Sequence, residues 1–110
     1  MKFAEGMTSK QKVEALQRYV LVHSVLYYEM DTSVISDKKF DKVSRLLADK
    51  IQKFGSKKIS ATQYGYVFKD FDGSTGFDLP DRLKDSDRKY IRQIATYVLR
   101  CYKREGKRNV

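Results

Sequence analysis

Hydrophobic side chains recur every three or four residues in three stretches of this chain, which is the spacing of one helix face. The first stretch follows Thr8 and Gln11, which are spaced as a capping box and predict that a helix begins there. We expect this helix to run to about Met30 and, because its apolar stripe is wide, to pack against two neighbours. The stripe consists of Val13, Leu16, Val20, His23, Tyr27 and Met30, widened by Tyr19, Val22 and Leu26.

A short polar connection separates the first two predicted helices. The sequence D-T-S at residues 31–33 carries side chains that favour turns. Ser36 then lies where the N-cap of a second helix is expected, and Gly55 predicts that this helix ends there. The apolar positions between them are Phe40, Val43, Leu47, Ile51 and Phe54. These signals predict an antiparallel helical hairpin over residues 9–54, with its mouth at the connection.

The segment that follows the hairpin carries mixed signals. The sequence Y-G-Y-V-F at residues 64–68 alternates as a short half-buried strand would, but an isolated strand is marginal in water. We therefore expect residues 55–85 to be irregular or to contain a short β segment. Pro80 can begin a short helical turn within it.

A last helix is predicted over residues 86–104. The sequence D-S-D at residues 85–87 can cap its start. Its apolar stripe consists of Ile91, Ile94, Ala95, Val98, Leu99 and Tyr102. Residues 105–110 form a basic tail that we expect to fray. The 110 residues are thus predicted to form one mainly α domain, a helical hairpin on which a C-terminal third helix packs.

Composition narrows the possible partners. Lys and Arg outnumber Asp and Glu by 23 to 14, and the net charge of +9 favours anionic ligands or polyanions. One cysteine, Cys101, and one histidine cannot build a zinc cluster, so we expect no metal. No run reaches the roughly 20 apolar residues of a membrane span, and the N-terminus lacks the apolar centre of a signal peptide. We expect a cytoplasmic protein without a membrane partner.

Residues near the hairpin mouth suit one small ligand. Aromatic faces can stack on a planar ring, and more strongly on a cationic one. Carboxylates can accept hydrogen bonds from hydroxyl or amide groups, and the start of the second helix, beside Ser36, can receive a phosphate. The aromatic candidates are Tyr27, Tyr28 and Phe40, and the carboxylates are Asp31, Asp37 and Asp41. Together they indicate a nucleotide with a cationic ring.

Residues 23–41 read H-x-x-L-Y-Y-x-x-D-x-x-x-I-S-D-x-x-F-D. This pattern resembles the Ia domain at the N-terminus of bacterial NAD-dependent DNA ligases, which recognises the nicotinamide mononucleotide (NMN) half of NAD. The likeness covers roughly residues 17–50 without gaps. It implies that Tyr27 and Phe40 flank the nicotinamide ring. It further implies that Asp37 and Asp41 hold the ribose and the polar substituents of the nicotinamide ring. Tyr28 would stand on the phosphate side of the ligand, and His23 and Asp31 would support the site.

The chain departs from the ligase pattern in ways that bear on activity. Phe40 replaces the family's tyrosine, and Ser33 replaces its usual proline. The sequence K-D-F-D-G at residues 69–73 resembles the ligase nucleophile motif K-x-D-G but has one residue too many. The other phosphate- and metal-binding motifs of a nucleotidyltransferase are absent. We therefore expect a non-enzymatic NMN- or NAD-binding module, similar to free-standing relatives encoded by phages, in a bacterial host cell.

Other interpretations of the same residues stay open. Aromatic and acidic residues at helix contacts are often only core and capping groups, and His23 can be a plain buried histidine. The basic charge also favours a protein that binds DNA or a host protein and uses the hairpin only as a scaffold. Aromatic residues 64, 66 and 68 could then stack on bases. The basic residues proposed for that role are Lys57, Lys58, Lys103, Arg104, Lys107 and Arg108.

Overall fold

The structure is a computed structural model that describes residues 3–74 and 78–105. Within those residues the chain is mainly α-helical and contains no β-strand. The α-helices are α1 (Ser9–Tyr28), α2 (Asp37–Phe54), α3 (Ser56–Ser60) and α4 (Asp85–Arg104), and a short 3-10 helix covers Pro80–Arg82. The mainly α class is confirmed, and the expected hairpin corresponds to α1 and α2.

Helix α1 is the centre of the molecule. Its N-terminus carries the predicted capping box, in which Thr8 and Gln11 each bond the backbone N–H of the other. Residues 20–26 are all buried, so the helix is enclosed on every side over its second half. Helices α2 and α4 both pack against it. The wide apolar stripe of this helix therefore reflects two packing partners.

The connection between α1 and α2 begins two residues earlier than the sequence indicates. Helix α1 ends at Tyr28, and the amide of Thr32 reaches back to the carbonyl of Leu26 at 2.9 Å. Asp31 adopts a left-handed conformation with φ of 51°, which aspartate tolerates better than most residues. Val34 and Ile35 are buried and hold the connection against the protein. The helix stops where this reversal starts, and not at Met30.

Over residues 55–74 and 78–85 the segment after the hairpin is irregular apart from α3 and the 3-10 helix, and it contains no β-strand, so the short β alternative is wrong there. Amides of residues 65, 67 and 68 each donate to the carbonyl three residues earlier, which is the pattern of successive tight turns. Tyr64, Val67 and Phe68 are fully buried, so their spacing follows one side of a coiled turn. The sequence also did not predict the short helix α3. The predicted turn at Pro80 is present as the 3-10 helix.

Helix α4 starts at Asp85, and its N-cap position is held by Lys84, which makes no side-chain cap. The predicted cap residue Asp87 instead accepts a 2.6 Å hydrogen bond from the hydroxyl of Tyr66. Arg88 and Arg92 both bond the carboxylate of Glu29, at the end of α1. Because α4 begins beside the end of α1, the two helices run antiparallel.

Candidate functional site

A cavity of about 280 Å³ lies at the hairpin mouth. Its walls come from the end of α1, the connection, the first turn and a half of α2, and a loop that follows α3. The lining residues are His23, Tyr27, Tyr28, Thr32, Ser33, Val34, Ile35, Asp37, Phe40, Asp41 and Ser74. Sequence reasoning named seven ligand-binding residues, and all of them except Asp31 line this one space.

The aromatic walls combine two exposed rings with one that is partly buried. Tyr27 is 47% exposed and Tyr28 is 46% exposed, and their rings meet edge to face with centroids 4.8 Å apart. Phe40 lines the cavity from α2 and packs its other side against the hydrophobic core. Tyrosines that are about half exposed beside a cavity can present part of the ring to a ligand, whereas fully buried core aromatics cannot.

The acidic wall belongs to the first turns of α2. Asp37 and Asp41 lie four residues apart, so their side chains share one face of the helix, and both are exposed and line the cavity. Helix α2 starts here because the hydroxyl of Ser36 accepts the amide of Lys39 at 3.1 Å. Asp31 is exposed in the connection and takes no part in the lining. Its left-handed backbone conformation places Asp31 where the chain reverses between α1 and α2.

His23 forms the inner wall. The side chain is 8% exposed, and its ring packs on Tyr19 with centroids 4.4 Å apart. Burial, together with the positive charge of Lys39, lowers the pKa of His23 from 6.5 to about 4. The imidazole is therefore neutral at pH 7. A neutral ring can exchange hydrogen bonds with a ligand without repelling a cation.

The loop that follows α3 closes the cavity from a distant part of the sequence. Gly73 has φ of 85°, and a Cβ atom there would lie 3.2 Å from the carbonyl oxygen of Ser44 on α2. Only glycine lets the loop sit so close to α2 in this conformation. The next residue, Ser74, donates its amide and its hydroxyl to Asp72 and lines the cavity.

Part of the lining was missed by sequence reasoning. Thr32, Ser33, Val34 and Ile35 were assigned only to the connection, although a chain that reverses at a hairpin mouth must pass over that mouth. Ser74 carries no local signal that it lies near α2. Residues 72–76 read D-G-S-T-G, which is typical of a turn but does not indicate what the turn contacts.

The K-D-F-D-G sequence has a structural explanation. Lys69 is exposed, Phe71 packs edge to face on Phe68, and Gly73 makes the close approach to α2. The carboxylate of Asp72 accepts hydrogen bonds from the hydroxyl and the amide of Ser74, and these two bonds keep the pKa of Asp72 below its usual value. Lys69 does not line the cavity at the hairpin mouth.

The residues suggested for nucleic-acid binding do not form one stacking surface. Tyr64 and Phe68 are fully buried, so their rings cannot reach bases. Tyr66 is partly buried and its ring is covered by Lys84, whose ammonium lies 4.8 Å from the ring centroid. The basic residues Lys57, Lys58, Lys103 and Arg104 are exposed on α3 and α4, and Lys107 and Arg108 lie outside the described residues.

Neither a metal cluster nor a membrane-crossing helix is found in residues 3–74 and 78–105. No three His, Cys, Asp or Glu side chains among them could hold an ion together. None of their helices combines the length and the apolar character that a bilayer requires. No protein-family model, curated protein or solved structure matches this chain.

Proposed function

We propose that the cavity at the hairpin mouth binds the NMN portion of a nicotinamide nucleotide, and that the protein is a non-catalytic binding module. One observation carries this proposal: partly exposed aromatic rings and two carboxylates line the same small cavity. A pyridinium ring is planar and cationic, so it gains from stacking on tyrosine and from nearby negative charge. Few other common metabolites offer both properties in one ring.

The size of the cavity supports a mononucleotide over a dinucleotide. Small-molecule sites typically enclose roughly 300–1,000 Å³, and about 280 Å³ is just below that range. A ring and its ribose fit such a space, while the remainder of NAD would extend into solvent. The ribose hydroxyls can donate hydrogen bonds to the carboxylates of Asp37 and Asp41.

The surroundings of the cavity suit the phosphate and the ring. Lys39 is close enough to His23 to lower its pKa, so a positive charge stands near the inner wall. This cation and the N-terminus of α2 can attract a phosphate group. The neutral imidazole of His23 does not oppose the charge of the ring. The proposal takes up the resemblance of residues 23–41 to the NMN-binding domain of the ligases.

Isothermal titration calorimetry with NMN, reduced NMN and adenosine monophosphate tests the proposal. NMN should bind more tightly than its reduced form, because reduction removes the positive charge of the ring. At an NMN concentration a hundred times the dissociation constant, the free energy of unfolding should rise by about 2.7 kcal/mol. Absence of binding at millimolar NMN, or equal affinity for the reduced form, would overturn it.

Three aspartate variants give this experiment a matched control. Asp37→Asn and Asp41→Asn each remove an acceptor charge from the cavity wall, and each should weaken NMN binding at least about tenfold, as for a hydrogen bond to a charged group. Asp31→Asn makes the same change in charge on an exposed residue that does not line the cavity. It should leave the affinity nearly unchanged. Equal losses in all three variants would indicate a general charge effect.

A further inference from the structure

Helix α4 carries a large share of the positive charge of the chain. Between residues 88 and 104 the sequence contains no Asp or Glu, while the chain as a whole carries +9. Its basic residues in that range are Arg88, Lys89, Arg92, Arg100, Lys103 and Arg104. Such a block of one sign along a single helix creates a positive field to one side of the molecule.

These charges divide between two sides of the helix. Ile91 and Ala95 are buried against the protein, which fixes the inner side of α4. Arg88 and Arg92 bond Glu29 and join α4 to α1. Lys89 and Arg100 are eleven residues apart, which is close to three helical turns, so they are aligned on the outer side about 16 Å apart along the axis. The outer side thus presents a row of exposed cations, Lys89 and Arg100, which Lys103 and Arg104 extend in the last turn. The exposed carboxylate of Asp85 lies one turn before Lys89, at the N-terminal end of this row.

Exposed aromatic rings follow the edge of this row. Tyr97 is 63% exposed and Tyr90 is 48% exposed. They are seven residues apart, which places them on the same edge of α4, about 10 Å apart along the axis. Gln93 lies between Lys89 and Tyr97 and is also exposed. Two exposed tyrosine rings beside a row of cations form an amphipathic face that can contact a partner.

We propose that this outer face of α4 binds single-stranded nucleic acid. The cations lie along a line that can follow a phosphate backbone, and the two tyrosine rings can stack on unpaired bases. In a duplex the bases already stack on one another, so the tyrosines would contribute little. An acidic peptide would use the cations but not the rings. The face is separate from the cavity, whose lining comes from α1, α2 and two loops.

Fluorescence anisotropy with a labelled 20-nucleotide oligothymidine tests this proposal. Four phosphate contacts, from Lys89, Arg100, Lys103 and Arg104, predict a slope of about −2.8 in a plot of log affinity against log salt concentration. The double variant Lys89→Glu/Arg100→Glu should lose at least about tenfold in affinity, and its slope should fall to about −1.4. Lys57→Glu/Lys58→Glu makes the same charge change on α3 and should cost less than about threefold.

Tyrosine variants separate a nucleic-acid surface from a surface for acidic proteins. Tyr97→Ala should weaken oligothymidine binding at least about fivefold, whereas Tyr97→Phe keeps the ring and should bind normally. Polyglutamate serves as the acidic-protein probe and should bind weakly. Three outcomes would each overturn the proposal. They are an equal loss of oligothymidine affinity in the two double variants, an unchanged affinity of Tyr97→Ala, and polyglutamate binding as tight as that of oligothymidine.

Folding is checked in the same samples. Each variant should keep the helical circular dichroism and the thermal midpoint of the parent protein, because all the changed side chains are exposed. If the double charge reversal does not fold, Lys89→Gln/Arg100→Gln replaces it, with the same ordering of affinities expected. Loss of NMN binding should not accompany loss of oligothymidine binding, so failure of one proposal can be told from failure of the other.

Discussion

His23 is the residue whose chemistry is most altered by the fold. It stands at the inner wall of the cavity, and burial is the larger of the two causes that lower its pKa to about 4; the charge of Lys39 is the smaller. A histidine used as a general base near neutral pH would keep a pKa close to the working pH. His23 is instead held neutral, which agrees with a binding role and with a ligand that is itself cationic.

This lowered pKa predicts a pH dependence of stability. In the unfolded chain His23 takes up a proton near pH 6.5, but in the folded protein only near pH 4. The unfolded state therefore binds more protons between these values, so the free energy of unfolding should fall as the pH drops from 6.5 to 4. The loss attributable to His23 should reach about 3 kcal/mol. Urea titrations at pH 7.0, 6.0, 5.0 and 4.5 measure it.

The variant His23→Gln isolates this contribution. It has no group that titrates in this range, so its stability should vary much less between pH 6.5 and 4.5 than that of the parent protein. Asp70 and Asp72, whose pKa values are lowered by hydrogen bonds, lose their stabilising effect as the pH falls from their ordinary value of 3.8 towards their lower folded-state values. Both proteins carry these residues, so their contribution cancels in the comparison. If the parent and the variant show the same pH profile, His23 is not buried as described.

Helix α2 presents the acidic wall, so the way it begins should matter for both stability and binding. Ser36 caps its first turn, and Thr8 caps α1 at the other end of the molecule through a similar bond to the amide three residues on. Ser36→Ala and Thr8→Ala should each lower the free energy of unfolding by about 1 kcal/mol. Only Ser36→Ala should also weaken NMN binding, because fraying of that turn moves Asp37. Equal effects on NMN affinity would contradict this role of α2.

The irregular segment after α3 depends on one glycine. A Cβ atom on Gly65 would lie 1.9 Å from the backbone oxygen of Ile59, which is far inside contact distance. Gly65→Ala should therefore force the backbone apart and destabilise the protein by more than about 3 kcal/mol, among the largest effects of single substitutions.

Gly55 provides the comparison for this glycine. It has φ of 91° and ψ of 145°, with open space where a Cβ would lie, so Gly55→Ala should cost only the backbone strain of about 1–3 kcal/mol. Chemical denaturation of both variants gives the two values. A smaller loss at position 65 than at position 55 would mean that the turns after α3 are not packed as described.

Viewed as a whole, the molecule is built around α1, and this explains which features the sequence could predict. The helical period, the capping box at Thr8 and the cap at Ser36 are local signals, and they located the hairpin and its mouth closely. The cavity walls from α1 and α2 follow from that geometry. Six of the predicted ligand residues converge because the hairpin brings two helix ends together.

Features that depend on contacts between distant segments were not predicted. The Y-G-Y-V-F alternation indicated a strand, but Tyr64 and Phe68 are buried in the hydrophobic core and the backbone around them forms tight turns instead. Asp87 was expected to cap α4, but its carboxylate accepts a hydrogen bond from the hydroxyl of Tyr66 instead. Ser74 reaches the cavity only because Gly73 packs on α2. No local pattern encodes such pairings, since each depends on where the rest of the chain lies.

A two-dimensional ¹H–¹⁵N NMR titration of the protein with NMN shows most directly whether the hairpin mouth binds this nucleotide. Aromatic and acidic groups at the hairpin mouth should respond together, so amide signals of residues 23–41 and of Ser74 should shift with a single dissociation constant. Signals from the outer face of α4, such as those of Lys89 and Tyr97, should stay in place. An unchanged spectrum at millimolar NMN, or shifts confined to residues away from the cavity, would show that the hairpin mouth does not bind NMN.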